Sequence, residues 1–343
     1  MLVMGIETSC DETAVALVED GLRVRANVIG AQIERHRPYG GVVPEVAARA
    51  HLELLLPAVD RALVEGGCTY TDIDGVAVTV GPGLIGALLV GVGAAKSIAL
   101  ARSVPFIGVN HLEGHLFATQ LEFGPLAAPL LALVVSGGHT SLVLLGEDGS
   151  VRTVGATIDD AAGEAFDKVA RFLGLPYPGG PEIDAAAREG DPAAIRFPRA
   201  LLRQPGYDFS LSGLKTAVIR ELRRRDAAGE EIWLPDVAAS FQEAVVDVQV
   251  HKTVAAARDF GVDTVTVVGG VAANSRLREA MRAACADAGL RLLLPSPALC
   301  TDNGAMIAAA GANRLAAGER TPLDVAADPN LGFAPVPLTG VAG

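Results

Sequence analysis

The chain has 343 residues, half of them hydrophobic and 20% charged, with a formal net charge of −12 at pH 7. That length favours two lobes over one average domain, and that apolar content supplies the large buried cores of an α/β protein. The acidic balance excludes non-specific adhesion to nucleic acid or anionic membrane, so an RNA partner would have to meet a local basic patch or an added subunit.

Near the start, Met4-Gly5-Ile6-Glu7 reads as an apolar strand and Thr8-Ser9-Cys10-Asp11-Glu12-Thr13 as a small polar turn. Ala14 to Val18 forms a second strand, and Asp20-Gly21 supplies a hairpin turn behind it. From Pro44 to Gly66 the apolar residues Val46, Ala47, Ala50, Leu54 and Leu55 recur at helical spacing. Residues 74–80 form a buried strand that turns through Gly81-Pro82-Gly83 into a helix over 84–102. The greasy run 83–95 stops at Lys96, short of the ~20 residues a bilayer span needs. The first residues make a strand rather than a charged leader with a helical core, so a cytoplasmic protein with no membrane partner is expected.

The second half repeats the first. Leu133 to Val135, Ser136-Gly137-Gly138-His139-Thr140, Leu142 to Leu145 and Asp148-Gly149 spell the same strand, polar turn, strand and hairpin turn. Residues 263–268, Gly269-Gly270 and a helix over 274–288 repeat the strand, glycine turn and helix. Two α/β lobes of similar plan follow. Turns of Gly, Ser and Thr offer backbone N–H groups to an anion, and two of them facing across a central cleft would hold a nucleotide phosphate. Two ordinary hairpins are the alternative. The run 176–181, with three Pro and two Gly, reads as a loop, and 189–213 is turn-rich. Residues 219–231 hold the dense basic cluster, and Pro329, Pro335 and Pro337 point to a tail without regular structure. Cys10, Cys68, Cys285 and Cys300 form no C-x-x-C pair and read as reduced thiols.

Several motifs carry chemistry. Gly81-Pro82-Gly83-Leu84-Ile85-Gly86 is a literal G-x-G-x-x-G, but no acid follows at the distance a ribose needs and Pro82 removes a donor. Lys96-Ser97 ends a Walker-like run that has Ala95 where the second Gly belongs. His111 and His115, four apart on a helix, project from one face and can share a metal ion, or pack independently. Glu113 follows the first His by two residues rather than one, so it points away and cannot act as the base of an H-E-x-x-H metallopeptidase. Asp302 is a ligand or the N-cap of the helix after it, and no spacing decides between them. Asp11 and Glu12 are candidates for a general base or for turn chemistry. Asp160, Glu164 and Asp167 share one helix face, which suits a solvated surface or a hydroxyl-binding edge. Asn274 caps its helix or meets a ligand there.

In order, these motifs resemble the tRNA threonylcarbamoyl-adenosine transferases, the bacterial TsaD type with its archaeal and eukaryotic Kae relatives, of the actin- and hexokinase-like (ASKHA) superfamily. The resemblance rests on residues 5–13, Gly40-Gly41-Val42-Val43-Pro44-Glu45, residues 81–86, 111–115, 136–140, 166–170, 177–181, Phe209 to Thr216, Gly269 to Asn274 and Thr301 to Met306, and covers nearly the whole chain. It implies an α/β fold of two duplicated actin-like lobes with a central cleft, divided as 1–112 with 305–343 and as 113–304 with inserted helices. It implies that His111, His115 and Asp302 bind one divalent metal ion, Fe2+ or alternatively Zn2+. It implies that Val134, Val135, Ser136, Gly137, Gly138, Asp167, Gly180, Asp184 and Asn274 line a pocket for threonylcarbamoyl-AMP.

The implied reaction moves the threonylcarbamoyl group to the N6 amine of the adenine 3′ to the anticodon, in tRNAs reading codons that begin with A, and releases AMP. Related proteins work with a TsaB-type paralogue and a TsaE-type ATPase. Asp11 is the candidate acceptor of the proton the amine loses. Arg220, Arg223, Arg224 and Arg225, with Lys215, are the candidate tRNA contacts, or else a solvated helix face. A zinc endopeptidase resting on the two histidines and a superfamily ATPase or kinase resting on the hairpins are the rival classes.

Overall fold

A computed structural model describes residues 1–231 and 233–338. In chain order these residues form β1 (Leu2–Glu7), β2 (Glu12–Glu19), β3 (Arg23–Ala31), α1 (Ile33–His36), α2 (Pro44–Gly66), β4 (Gly75–Gly81), α3 (Ile85–Arg102), β5 (Phe106–Asn110), α4 (His111–Ala118) and α5 (Gln120–Phe123). There follow β6 (Leu130–Val135), β7 (Thr140–Leu145), β8 (Val151–Ala156), α6 (Ala162–Phe172), α7 (Gly179–Ala187), α8 (Ser212–Ala228) and α9 (Leu234–Asp259). The last are β9 (Thr264–Val268), α10 (Ser275–Ala288), β10 (Arg291–Leu293), α11 (Pro297–Cys300) and α12 (Gly304–Ala316). Two compact units result: Met1–Ala128 with Gly146–Val151 and the described residues from Ala298 onward, and Pro129–Leu145 with Arg152–Pro297.

The first unit is built on a sheet of order β3-β2-β1-β4-β5. β1 pairs antiparallel with β2 and parallel with β4, and β5 runs parallel to β4. The β2–β3 turn places Asp20 at φ 52° and Gly21 at φ 70°, as a tight hairpin requires. β1 and β4 read as nearly unbroken apolar runs because both faces of the sheet are covered. On one face, Met4, Ile6, Val15, Val76 and Val78 pack with Leu55, Val59, Val92 and Ala95 of α2 and α3. α12 lies on β1, β2 and β4, so close that a Cβ on Gly5 would strike the Gly304 carbonyl and Ala308. α3 is long and apolar enough by composition to cross a membrane. Its Ala87, Leu88, Val92, Ala95 and Ala99 are instead buried in this unit, and Lys96 Nζ donates to the Val325 carbonyl at 2.5 Å.

The second unit repeats the plan with the order β10-β9-β6-β7-β8. β6 pairs antiparallel with β7 and parallel with β9, and β10 runs parallel to β9. Position for position this is the first sheet again, so the duplication read from the paired hairpins is real. The unit also carries a helical layer, in which Phe166, Val169, Ile183, Leu214, Val218, Val237 and Phe241 share a core. Phe166 and Phe241 meet edge to face with centroids 5.2 Å apart.

Two local expectations differ from the structure. The run 176–181 is not all loop, because α7 begins at Gly179 and takes Pro181 into its first turn. A proline there costs nothing, since the first four N–H groups of a helix have no intrahelical acceptor. Before α12, Asn303 rather than Asp302 is the cap, its Oδ1 accepting from Met306 N at 3.0 Å. The tail after α12 has no helix or strand among its described residues, yet it is packed. Asp328 N donates to the Val80 carbonyl at 2.8 Å and Asn110 Nδ2 to the Leu331 carbonyl at 3.1 Å. That tail and the first turn also fill the G-x-G-x-x-G turn: Gly83 N donates to Pro329 O at 3.3 Å and Leu84 N to Ser9 O at 2.8 Å. Donors already spent this way cannot serve a dinucleotide.

Candidate functional site

The first unit brings His111, His115 and Asp302 together. Asn110 caps α4, its Oδ1 accepting from Leu112 N at 2.9 Å and Glu113 N at 3.3 Å, which sets the helix off at His111. One turn apart, the two rings stack edge to face at 4.7 Å between centroids. Gly114 between them weakens an isolated helix, but here a Cβ would come within 2.6 Å of Ile307. The glycine therefore lets α12 approach α4, and Asp302 sits just ahead of α12. Its Oδ1 lies 3.6 Å from His111 Nε2 and 3.2 Å from His115 Nε2. One ligand atom from each of the three falls within 4.8 Å of the others.

The donor set fits a cation. His115 is fully buried, and neither ring nitrogen makes a hydrogen bond despite the nearby carboxylate. Such orphaned nitrogens are costly unless something else satisfies them. His111 shows the same demand. Burial favours its neutral form, but Asp302 and Glu7 outweigh that and raise its pKa to about 9. Carboxylates that draw a proton onto an imidazole would also draw a divalent ion, so the three side chains could hold a metal.

Glu7 is the residue that sequence reasoning passed over. It closes β1, is fully buried, and holds Oε2 3.0 Å from His111 Nδ1. Thr79 Oγ1 donates to the same oxygen at 2.5 Å, and Ser9 N donates to Oε1 at 2.5 Å. Burial pushes the Glu7 carboxyl up, and His111 and Thr79 more than reverse that, leaving it below its usual range. The available signal was a charged residue ending an otherwise apolar strand.

Glu113 takes no part in this cluster. Its two oxygens accept from Arg314 Nε at 2.7 Å and a terminal guanidinium nitrogen at 2.8 Å, with both side chains almost fully buried. A carboxylate so engaged is no general base beside a metal, which removes the peptidase arrangement.

The first polar turn is braced from below. Thr13 Oγ1 donates to His51 Nδ1 at 2.8 Å, and His51 Nε2 donates to the Cys10 carbonyl at 3.0 Å. Gln32 Nε2 reaches Thr13 Oγ1 at 3.3 Å, while its Oε1 accepts from His36 Nε2 at 3.3 Å. Burial holds the His51 pKa down and keeps the ring neutral for this chain. Asp11 is buried in that turn. The Glu12 carboxyl is pushed well above the carboxylate range, first by burial and then by Asp11 and Asp302.

The second unit assembles the other predicted residues. Val134 and Val135 end β6 with fully buried side chains, paired with Ser141 and Thr140. The Ser136–Gly138 turn hangs on the start of α6, where Gly163 N donates to Ser136 O at 3.1 Å and Glu164 N to Gly137 O at 3.2 Å. Gly137, Gly138 and Gly180 have open space where a Cβ would stand. Asp167 Oδ1 accepts from Gly179 N at 2.7 Å, fixing the start of α7. Asp184, on α7, accepts from Ser275 N at 3.2 Å and Ser275 Oγ at 2.8 Å. Asn274 caps α10 through Leu277 N at 2.9 Å and donates to Gln242 Oε1 at 2.7 Å. These bonds tie α6, α7, α9 and α10 to one place. The basic run on α8 is partly self-neutralised, because Glu221 accepts from Arg224 and Arg225 and is drawn down to about 2. Arg224 also pairs with Glu230 at 2.9 Å.

The two sheets of like order define a duplicated actin-like α/β protein, in which a histidine–carboxylate cluster could hold a cation. Solved structures share that fold. HypF of T. kodakarensis superposes at a TM-score of 0.62 with 16% identity, over 92% of this chain and 48% of that one. Component A of (R)-2-hydroxyglutaryl-CoA dehydratase from Acidaminococcus fermentans gives 0.54 with 14% identity, over 90% of this chain and 96% of that one. Residues 23–309 match the TsaD family, described as tRNA N6-adenosine threonylcarbamoyltransferase. Proteins bearing that description from Pelobacter propionicus and Bacillus subtilis are 54% and 51% identical to this chain, across 95% and 96% of it and 95% of each relative. The chain belongs to the tRNA N6-adenosine threonylcarbamoyltransferase family, and is a transferase.

Proposed function

We propose that the protein transfers the threonylcarbamoyl group of threonylcarbamoyl-AMP to the N6 amine of adenine 37 in tRNAs reading codons that begin with A, releasing AMP. The observation that carries this reading is the His111, His115 and Asp302 cluster, with ligand atoms within 4.8 Å of one another, in a chain of this family. The donor is a mixed anhydride of a carbamate and a phosphate, already activated. The protein's task is to hold its carbonyl near a weak nucleophile and to offset charge developing on oxygen.

The Gly137 and Gly138 N–H groups and the Ser136 hydroxyl hydrogen-bond the donor, the Ser136 N–H being spent on the His139 carbonyl at 2.8 Å, and Asp167 and Asp184 grip ribose or threonine hydroxyls. Gly180 and the backbone at Val134 and Val135 complete that lining, and Asn274 holds the α10 end of it. Asp11 takes the proton that the amine loses on acylation. A divalent ion, Fe2+ or Zn2+, supplies Lewis acidity toward a phosphate or carbonyl oxygen when bound. With an ion bound, Glu7 would keep the His111 proton on Nδ1 and leave the Nε2 lone pair to the ion.

The protein acts in the cytoplasm with a TsaB-type paralogue and a TsaE-type ATPase. An apolar strip supports a partner of that kind: Leu52, Leu56 and Val64 on α2 and Leu89 and Leu100 on α3 are all exposed, on helices packed side by side.

The test is mass spectrometry of nucleosides from tRNA incubated with the protein, these partners, threonine, bicarbonate, ATP and a TsaC-type enzyme that makes the adenylate. Threonylcarbamoyladenosine is the expected product. Unmodified adenosine, with every partner shown active, would overturn the reading. Single-turnover transfer by Asp11→Asn tests the base: donor binding should survive while transfer falls.

A further inference from the structure

We propose that a groove in the second unit, edged by Arg196, Arg203 and Arg220, cradles phosphodiester groups of the RNA substrate. This rests on the function proposed above and adds the surface that holds the RNA. The groove, of about 1040 Å³, lies between the irregular segment around Arg196 to Arg203, α8 and α9.

Its charge is one-sided. Of its two wall carboxylates, Asp247 accepts from Arg199 at 2.9 Å and Glu243 from Arg276 at 2.6 and 2.8 Å. Both acids are therefore already neutralised. Arg196, Arg203 and Arg220 are exposed, and none of their guanidinium groups makes a hydrogen bond or ion pair with the described residues. Three uncommitted guanidinium groups around one open groove match a ribose-phosphate chain, because a guanidinium meets phosphate oxygens in pairs.

Two further observations favour RNA as the occupant. A chain of net charge −12 repels a polyanion over most of its surface, so RNA must be held where unpaired positive charge is concentrated. The groove is also built on the same joint as the candidate donor residues. Glu243 of its wall follows Gln242, which bonds Asn274, and Arg276 follows Ser275, which bonds Asp184. The neighbouring Arg224 and Arg225 are less suited, since Glu221 and Glu230 already hold them.

The experiment measures binding of an unmodified tRNA transcript by the full chain, with its partner subunits, across a salt series. The triple variant R196A/R203A/R220A should bind about 10- to 100-fold more weakly near 0.15 M salt, and its log–log salt slope should shrink by roughly 2, near 0.7–0.9 per lost phosphate contact. The triple lysine variant should keep most of the slope, and R203E alone should weaken binding. Thermal melts and donor binding report that each variant is folded. A triple alanine variant with parental affinity and slope, in a preparation that still modifies tRNA, overturns the groove and leaves the functional reading standing. If the parental complex neither binds nor modifies tRNA, the functional reading falls and the groove with it. Loss of an acidic protein partner with an unchanged RNA slope makes the groove a protein interface and also overturns the proposal.

Discussion

Glu7 holds its carboxylate 3.0 Å from His111 Nδ1, on the far side of the ring from Asp302. The carboxylate is itself fixed by the Thr79 hydroxyl and the Ser9 amide. A proton kept on Nδ1 leaves Nε2 as the ligand atom and sets the ring plane. Such outer carboxylates raise ligand basicity, and their loss weakens metal affinity by about 10- to 100-fold. Glu7→Ala should show that loss when Co2+ or Zn2+ binding is titrated against a chromophoric chelator, with the fold intact by circular dichroism. Unchanged affinity would mean that the ring is oriented by packing and by Ser9, whose Oγ lies 3.1 Å from His111 Nδ1.

The buried Glu113–Arg314 pair makes a second prediction. Removing one partner leaves the other charge uncompensated in the interior, at a cost of about 3–5 kcal/mol. Arg314→Met should therefore unfold at markedly lower denaturant. The double variant Glu113→Gln/Arg314→Met, which removes both charges, should recover most of the loss. If the single variant is as stable as the parent, Glu113 must be reached by water or protonated.

Glycines separate structure from proposed binding. At Gly163 a Cβ would lie 2.8 Å from Gly137 Cα and 2.9 Å from Ser136 O, so Gly163→Ala should displace the turn and lower stability. At Gly137 and Gly138 the space is open. Gly137→Ala should leave the melting temperature nearly unchanged while donor binding, read by calorimetry with AMP or a stable adenylate analogue, weakens. Equal affinity in that variant would remove the turn from the donor site.

The legible parts of this protein are those whose physics is local. The first hairpin showed because apolar runs flank a Gly/Asp turn, and α2 because Pro44 and a terminal glycine bracket one helical period. His111 and His115 showed because four residues are one helical turn. Asp302 could not be chosen as ligand by spacing, since the approach of α12 to α4 depends on Gly114, far away in the chain, and only the family resemblance singled it out. Of the arginines edging the groove only Arg220 was legible, as part of the run on α8, and the others were hidden for a related reason. Which arginines stay unpaired depends on acids brought in from α9, while Arg224 and Arg225 of the α8 run have their own acids beside them.

Asp159 carries the last prediction, and it concerns acid. Its Oδ1 accepts from Leu211 N at 2.8 Å and Ser212 N at 3.2 Å, and its Oδ2 from Ser210 Oγ at 2.6 Å and Ser212 Oγ at 2.8 Å. These bonds anchor the start of α8. Burial pushes the carboxyl up, but the four donors outweigh it and hold the pKa below its ordinary 3.8. A folded value below the unfolded one means that this stabilisation is complete above the unfolded value. It is lost as pH falls through the folded one. In Asp159→Asn the amide would turn donors toward two hydroxyls, costing about 1 kcal/mol at pH 7 for hydrogen bonds in an exposed setting. Denaturant titrations at falling pH should show the gap between parent and variant narrowing below about pH 4, as the parent's carboxyl begins to protonate. A gap that stays constant down to pH 2.5 would show that the ionised carboxylate contributes nothing to anchoring the helix.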